Sequence, residues 1–297
     1  MFIFPEFRCS RIIGWLAAAL ALLLLQACSS VRLAYNNAPE LTYWWLDSYL
    51  EFDDGQSTRV HAELAQLLAW HRSNELPRTA ELLRKLQPLA AAAITPAQAC
   101  SAYTDIRTHL QPLFAKAQAP AAEVALSLGA AQLQHLEQRL RKNNTDYLEK
   151  WGQGSPQERQ ARHLKASVER YENLYGKLED GQLAVLQASI AASSYDFDRA
   201  FAERRRRQQD LLQTLRHIST DKPSAAQTQA LLHSLLERSL DAAPDGRQEY
   251  PYRERMTQEA CETFAAVHNA ATPAQRERAV RRLVAYERDA RELAGQR

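Results

Sequence analysis

Signals for the start of a helix recur along this chain, and they constrain its fold more than any other feature of the sequence. Each places a hydroxyl side chain at the N-cap and Gln or Glu three residues later, the reciprocal pattern called a capping box. Three of the four add Pro at the first helical position, where its missing N–H costs nothing. The four segments are 95–98, 155–158, 224–227 and 272–275. They predict an all-α protein.

The rest of the pattern agrees with helices. Helix-forming Ala, Leu, Gln, Arg and Glu dominate the chain after residue 28, and no stretch shows sustained strand alternation. One apolar stripe follows a single face of a long predicted helix. Its members are Leu126, Leu133, Leu136, Leu140, Tyr147 and Trp151. In the last helix Glu287 interrupts the stripe that Val280, Leu283 and Val284 begin, so we expect only a narrow apolar seam there.

We therefore predict a multi-helix bundle of antiparallel helical hairpins. The predicted helices are 40–52, 56–74, 78–93, 96–116, 120–150, 156–176, 180–192, 195–219, 224–241, 251–269 and 273–294. Loops are expected at 152–155, 220–223 and 242–250, and no linker is long enough to force two domains.

The first 27 residues have the pattern of a secretion signal. Residues 1–11 carry two Arg against one Glu, and residues 12–25 form an uncharged apolar run. This run spans about 21 Å as a helix, short of the roughly 30 Å hydrocarbon core of a membrane. A short apolar run after a basic start is typical of a cleaved signal peptide, and an uncleaved membrane anchor is the alternative.

The next residues resemble the bacterial lipobox, in which a small residue precedes a Cys that is lipidated and becomes the new N-terminus. Residues 25–28 read LQAC, with Gln26 where a small residue is usual. The resemblance implies that Cys28 is acylated, and Ser29 after it implies sorting to the outer membrane with the body in the periplasm. The predicted divisions are a signal peptide (1–27), a lipidated Cys with a tether (28–38) and a single helical periplasmic domain (39–297).

Two cysteines remain after the signal peptide and Cys28 are accounted for. Cys100 and Cys261 lie in similar Ala-rich helical contexts. In an oxidising compartment two such thiols favour one disulfide, which would contribute about 4–5 kcal/mol by closing a long loop. Two separate buried thiols are the alternative.

An aromatic cluster begins seven residues after Cys28. It comprises Tyr35, Tyr43, Trp44, Trp45, Tyr49 and Phe52. Tyr and Trp suit membrane interfaces because they combine an apolar body with a polar group. One interpretation is that Tyr43, Trp44 and Trp45 contact the membrane or a partner. The alternative, which we favour for Trp45 and Tyr49, is packing into the protein's own core.

Four consecutive arginines interrupt the apolar stripe of the predicted helix 195–219. They are Arg204, Arg205, Arg206 and Arg207. Successive residues sweep most of a helix circumference, so at least one Arg must face the core and needs a carboxylate or an anion. One interpretation is a site for a phosphate, a glycan carboxylate or a peptide C-terminus. The favoured alternative is an internal ion pair with a carboxylate of a neighbouring helix, such as Asp47 or Asp53, with the rest of the run in solvent.

Motifs of familiar enzyme classes are absent from the sequence. There is no GxSxG, Walker or GxGxxG motif, so we predict no catalytic residues and no cofactor. His61 and His71 would lie about 80° apart on one helix, which is poor for a shared metal, and no metal site is predicted. The segment from His71 to Glu75 is predicted to end a helix before Pro77. The balance of 37 basic and 35 acidic residues argues against a nucleic-acid partner.

Residues 31–49, VRLAYNNAPELTYWWLDSY, together with 70–77 and 204–208, resemble a family of uncharacterised proteobacterial lipoproteins. That resemblance implies a helical, lipid-anchored envelope protein and brings no known activity. A weaker similarity is to periplasmic chaperones of the Spy/CpxP type, whose LTxxQ motifs are echoed at 94–98 and 271–275 and, without the Thr, at 178–182.

These features together indicate an outer-membrane lipoprotein that faces the periplasm and acts by binding an envelope protein or peptide. A Spy-like holdase chaperone is the alternative, and an unrecognised envelope hydrolase is a further one.

Overall fold

The computed structural model describes residues 31–240 and 249–296, and over those residues it contains helices and no strand. The predicted all-α fold is therefore confirmed. The helices are α1 (Ala38–Leu50), α2 (Asp54–Ala91), α3 (Pro96–Ser127), α4 (Ala130–Tyr147), α5 (Pro156–Tyr175), α6 (Asp180–Ala192), α7 (Phe197–Asp221), α8 (Ala225–Leu240), α9 (Glu249–Asn269) and α10 (Pro273–Gly295). A π-helical turn, Leu148–Gly152, follows α4, and residues 31–36 are also helical. The predicted signal peptide, Cys28 and most of the predicted loop 242–250 lie outside the described residues.

All four predicted capping boxes are present. At the start of α3 the Gln98 N–H donates to the Thr95 hydroxyl over 3.2 Å, and the Thr95 N–H donates to the Gln98 side-chain oxygen over 2.8 Å. The same reciprocal bonds open α5, α8 and α10. A further box, between Asp53 and Gln56, opens α2.

The predicted helix end before Pro77 is wrong, because α2 runs without a break for 38 residues through Pro77 and Pro88. An interior Pro removes one backbone hydrogen bond. On either side of Pro77, the buried Leu76 and Ala80 pack against α10, and this tertiary contact holds the helix across the Pro. Similarly, α3 continues through Pro112, as predicted, and also through Pro120, so the predicted break at 117–119 is wrong.

The predicted single helix 120–150 is also wrong, because the chain breaks between α3 and α4. The Gly129 N–H donates to the Gln132 side chain over 2.9 Å and starts the new helix. Leu126 therefore belongs to α3, whereas Leu133 and Leu136 belong to α4. Both leucines of α4 are buried in a core cluster with Leu212, Leu215 and Ile218 of α7.

The helices α3 and α10 both pack antiparallel to α2. Ion pairs Arg59–Glu123 and Lys85–Asp105 mark the two ends of the α2/α3 pair. On its other side α2 runs antiparallel to α10, whose seam is narrow: Ala279 and Ala290 are buried while Val284 is 46% exposed. A second core cluster joins α5, α6, α9 and α10. No helix in the described parts of the chain is both long and apolar enough to cross a membrane.

Candidate functional site

The segment predicted to be a tether is packed on the body from residue 31 onward. Arg32 reaches Glu292 on α10 over 2.5 Å and lies 3.7 Å from the buried Asp289. The Tyr35 ring packs on the Leu76 cluster between α2 and α10, and its hydroxyl is hydrogen-bonded to His71 Nδ1 over 3.0 Å. Only two residues therefore separate Cys28 from a docked helical segment.

The outer surface of α1 presents three large apolar side chains to solvent, which we call the aromatic face: Leu41, Trp44 and Trp45. Their exposed fractions are 50%, 63% and 60%. They occupy positions i, i+3 and i+4, so they form one stripe on the helix. The expectation that Trp45 packs in the core is therefore wrong.

Neighbouring helices explain why this stripe faces outward. Tyr43 turns toward α2, where its hydroxyl is 2.9 Å from the Ser57 hydroxyl and its ring stacks on His61. Tyr49 turns toward α4 and accepts a hydrogen bond from Asn143 over 2.7 Å. Since these contacts use the inner sides of α1, Trp44 and Trp45 are left on the outside.

Exposed apolar side chains are concentrated near the N-terminal end of the described chain. Ten large hydrophobic residues are exposed among the described residues, and five of them lie between residues 31 and 45. Those five are Val31, Leu33, Leu41, Trp44 and Trp45. Single exposed apolar residues are ordinary, whereas a concentration of them marks an interaction surface.

The arginine run is held largely by its own helix. Arg206 forms two hydrogen bonds to Glu203, of 2.7 and 2.8 Å, and Arg207 lies 3.7 Å from the same carboxylate. Arg204 donates to Asn144 over 2.9 Å and lies over the Tyr147 ring, while Arg205 is exposed.

The predicted partners of the run, Asp47 and Asp53, are wrong. Asp47 accepts the Phe52 N–H, and Asp53 caps α2. Among the contacts of Arg206 and Arg207 is Glu203, which lies one turn earlier on the helix that carries the arginines.

Burial and neighbouring charges shift the pKa values of one arginine in the run and of the glutamate beside it. Burial lowers the pKa of Arg207; Glu203 opposes this shift, and the neighbouring guanidinium groups, Arg253 foremost, add to it. The hydrogen bonds from Arg206 lower the pKa of Glu203. An anion site at these residues stays a hypothesis.

Cys100 and Cys261 are joined by a disulfide in the structure, with their Cα atoms 5.3 Å apart. The bridge links the first turns of α3 to the middle of α9. Cys261 is buried with Ile94, Ala99 and Ala265, so the bond lies beside an apolar cluster.

A charged cluster that the sequence did not suggest surrounds Glu75. This side chain is 4% exposed, and one oxygen accepts from Arg78 over 3.1 Å while the other has no hydrogen-bond partner in the described structure. Burial lowers the pKa of His71 and of His109, and the negative charge of Glu75 opposes both shifts. Glu75 is internal because α2 continues past Pro77, and no local pattern pointed to His109.

Among the described residues, no group of three or more His, Cys, Asp or Glu is placed to hold a metal ion, at this cluster or elsewhere. The Glu75 cluster brings a buried carboxyl group close to two imidazole rings.

Comparison with known proteins gives a family and no activity. The sequence model of a family of unknown function, DUF6279, matches residues 48–240. The chain belongs to this family. The match begins within α1 and ends with α8, so it includes Glu75, His109 and the arginine run and leaves out Trp44 and Trp45. No curated protein and no solved structure matches the chain.

Proposed function

We propose that this DUF6279 member is an outer-membrane lipoprotein, anchored through an acylated Cys28, whose periplasmic body acts by binding through its aromatic face. The main support for this proposal is the concentration of exposed apolar side chains at residues 31–45. It lies directly after the lipobox-like segment, in the part of the chain where an anchor would act.

The docking of residues 31–36 adds a geometric argument. From Cys28 to Val31 the chain can extend about 10 Å at most. An acyl anchor would therefore hold the body close to the bilayer surface. Leu33, Leu41, Trp44 and Trp45 then belong to a surface within reach of the lipid interface, for which Trp is well suited.

Acylation of Cys28 is tested by metabolic labelling with a radioactive fatty acid. We expect the wild-type chain to carry the label and Cys28→Ser to lose it, because the fatty acids reach the chain through a lipid attached to the Cys thiol, which Ser lacks. Label that persists in Cys28→Ser would refute the lipoprotein proposal.

The binding role is tested by site-specific photocrosslinking in cells. A benzoylphenylalanine at position 44 is compared with one at position 103, a matched exposed aromatic site on α3. We expect a discrete protein adduct from position 44 and none from position 103. Adducts with lipid alone at position 44 would mean that the face contacts only the bilayer, and absence of any adduct there would refute the proposal.

A holdase chaperone is the second candidate, favoured by an exposed apolar stripe on α3. Tyr103, Ile106 and Leu110 are each 43–44% exposed and recur at helical spacing. The LTxxQ-like segments give it no separate support, because their Gln side chains cap their own helices. Suppression of client aggregation, lost when Ile106 and Leu110 are changed to Ser, would favour this function, as would many weak adducts at both crosslinking positions.

The hydrolase alternative has its natural location at Glu75, His71 and His109. Turnover of peptidoglycan fragments or lipids that disappears in a folded Glu75→Gln variant would favour it over a binding protein.

A further inference from the structure

An apolar cavity of about 290 Å³ lies between α1, α2, α3, α7 and α8. Every lining side chain is aliphatic or aromatic except one, the carboxylate of Glu63. The cavity reaches the surface beside Ala121, which is exposed on α3. Because it is open to solvent on one side, this apolar space is accessible to a small ligand.

Small residues on α3 create the space. Ala117, Ala121 and Ala125 follow one another at four-residue intervals and line the cavity, together with Leu64 and Leu67 of α2. Alanine side chains are too short to fill the gap between antiparallel helices. Replacement of one alanine by a larger residue should therefore fill the cavity without moving a charge.

The shape favours a linear ligand. On α3 the lining extends from Ala117 to Ala125, about 12 Å at the helical rise, and on α2 from Val60 to Leu67, about 10 Å. An apolar groove that follows two helices suits a single extended alkyl chain better than a compact ring or a folded peptide segment.

The negative charge of the Glu63 carboxylate favours a ligand with a cationic head group. Glu63 is half-buried and forms no ion pair with any residue of 31–240 or 249–296. A carboxylate at the wall of an apolar cavity is best satisfied by a cationic donor, through charge-assisted hydrogen bonds.

We propose that this cavity binds an amphiphile with one alkyl chain and a primary ammonium head group. The chain lies between α2 and α3, and the ammonium group donates to Glu63. This site is separate from the aromatic face and does not depend on acylation of Cys28.

Photocrosslinking in membranes that contain the full-length protein tests the site. The probes are dodecylamine with a diazirine on its chain, and the carboxylic acid and the alcohol of the same chain. We expect the amine to label peptides that contain residues 60–67 and 117–128 at least tenfold more than the acid does, with competition by unlabelled dodecylamine.

Two variants localise the binding. Ala117→Leu fills the cavity and should reduce amine labelling at least tenfold. Ala115→Leu, on the same helix but exposed and outside the lining, should leave it unchanged. Glu63→Gln should bring amine labelling down to the level of the alcohol and leave the alcohol unaffected.

Equal labelling by acid and amine would overturn the proposal, as would labelling of other helices or full labelling of Ala117→Leu. If Ala117→Leu does not fold, the ratio of amine to alcohol labelling in Glu63→Gln decides the question, because that substitution changes a half-buried group and keeps its volume. A ratio as high as in the wild type would overturn the proposed recognition by Glu63.

Discussion

His268 on α9 shows how a titratable residue is held neutral inside this protein. It is 2% exposed, and its two ring nitrogens lie 2.8 Å from the Tyr175 hydroxyl and 2.7 Å from the Ala92 carbonyl oxygen. Because a carbonyl oxygen only accepts, Nε2 carries the proton and Nδ1 accepts from Tyr175. Burial lowers the pKa of His268, opposed by the hydrogen bond to Ala92.

This arrangement makes stability depend on pH. The unfolded chain, with a His pKa of about 6.5, binds more protons than the folded chain in the window below that value. We therefore expect the full free energy of unfolding above pH 6.5 or so, and a progressive loss as the pH falls toward the lowered folded pKa. Burial lowers the pKa of His71, His109 and His163 as well, so their effects have the same sign.

Urea unfolding between pH 7.5 and 5 measures this effect. His268→Gln keeps a polar side chain but cannot be protonated, so its stability should fall less steeply with decreasing pH than that of the wild type. Identical pH slopes in the two proteins would contradict a neutral buried His268.

Residue-level predictions from the sequence succeeded where the cause was local. Thr95 and Gln98 need only each other to form a capping box. Trp45 was misplaced because its burial depends on which sides of α1 contact α2 and α4. The suggested partners of the arginine run are wrong although Glu203 lies only three residues before Arg206, because same-helix pairs at this spacing compete with pairs between helices.

At the level of elements, a pair of glutamines ties the start of α10 to the start of α6. The Gln275 side chain accepts from the Thr272 N–H over 2.9 Å and donates to the Lys177 carbonyl and to Gln182 over 2.8 and 2.9 Å. Gln98 occupies the same TPAQ motif at the start of α3 but is exposed. The Gln of the same TPAQ motif is therefore buried at the start of α10 and exposed at the start of α3.

Substitution by Glu separates the two environments. Glu at the third helical position keeps the cap, so Gln98→Glu should change the free energy of unfolding by less than about 0.5 kcal/mol. Gln275→Glu cannot donate and turns an oxygen toward two acceptors, one of them on the fully buried Gln182, so we expect a loss of about 2–3 kcal/mol. Denaturant titration of both variants checks this, and losses of equal size would count against the buried link.

The π-helical turn after α4 depends on a glycine. A Cβ at Gly152 would come within 2.7 Å of the Phe197 ring, which stacks on Tyr147. A Cβ at Gly181, in the first turn of α6, would meet nothing within 4 Å.

The two glycines should therefore respond in opposite directions to the same substitution. We expect Gly152→Ala to cost about 1–3 kcal/mol through overpacking. Gly181→Ala should stabilise by about 0.5–1 kcal/mol, because Ala loses less backbone entropy in a helix. Thermal unfolding of the two variants is the measurement, and a Gly152→Ala protein as stable as the wild type would show that Phe197 moves aside freely.

The helices that continue through proline show why helix ends could not be predicted from each segment alone. Pro77 and Pro120 are ordinary signals for a helix end, and the chain passes through both. Leu76 and Ala80 find their partners in α10, which lies some 200 residues later in the sequence. Long-range packing of this kind leaves no mark in a local pattern.

At the level of the whole molecule, α2 is the element on which both ends of the described chain meet. Tyr35 packs on it near His71, and α10 packs along it through Ala290 and Leu293. Arg32 then joins the first segment directly to the last helix. The region next to the proposed anchor is therefore bound to residues from the far end of the sequence, so loss of the α2/α10 contact should also release residues 31–36.

The Cys100–Cys261 bond closes the longest covalent loop of the structure described here, with a sequence separation of 161 residues. A loop of this length restricts the unfolded chain strongly, and the chain-entropy model gives a stabilisation of about 5 kcal/mol.

We expect the Cys100→Ala/Cys261→Ala protein to fold, because alanine fits the apolar cluster around Cys261, but to lose several kcal/mol in free energy of unfolding. Dithiothreitol should slow the wild type on a denaturing gel and lower its stability, while the double variant should not respond. Free thiols at both positions in protein from oxidising cells would refute the bridge. An unchanged free energy of unfolding on reduction would contradict the expected stabilisation by loop closure.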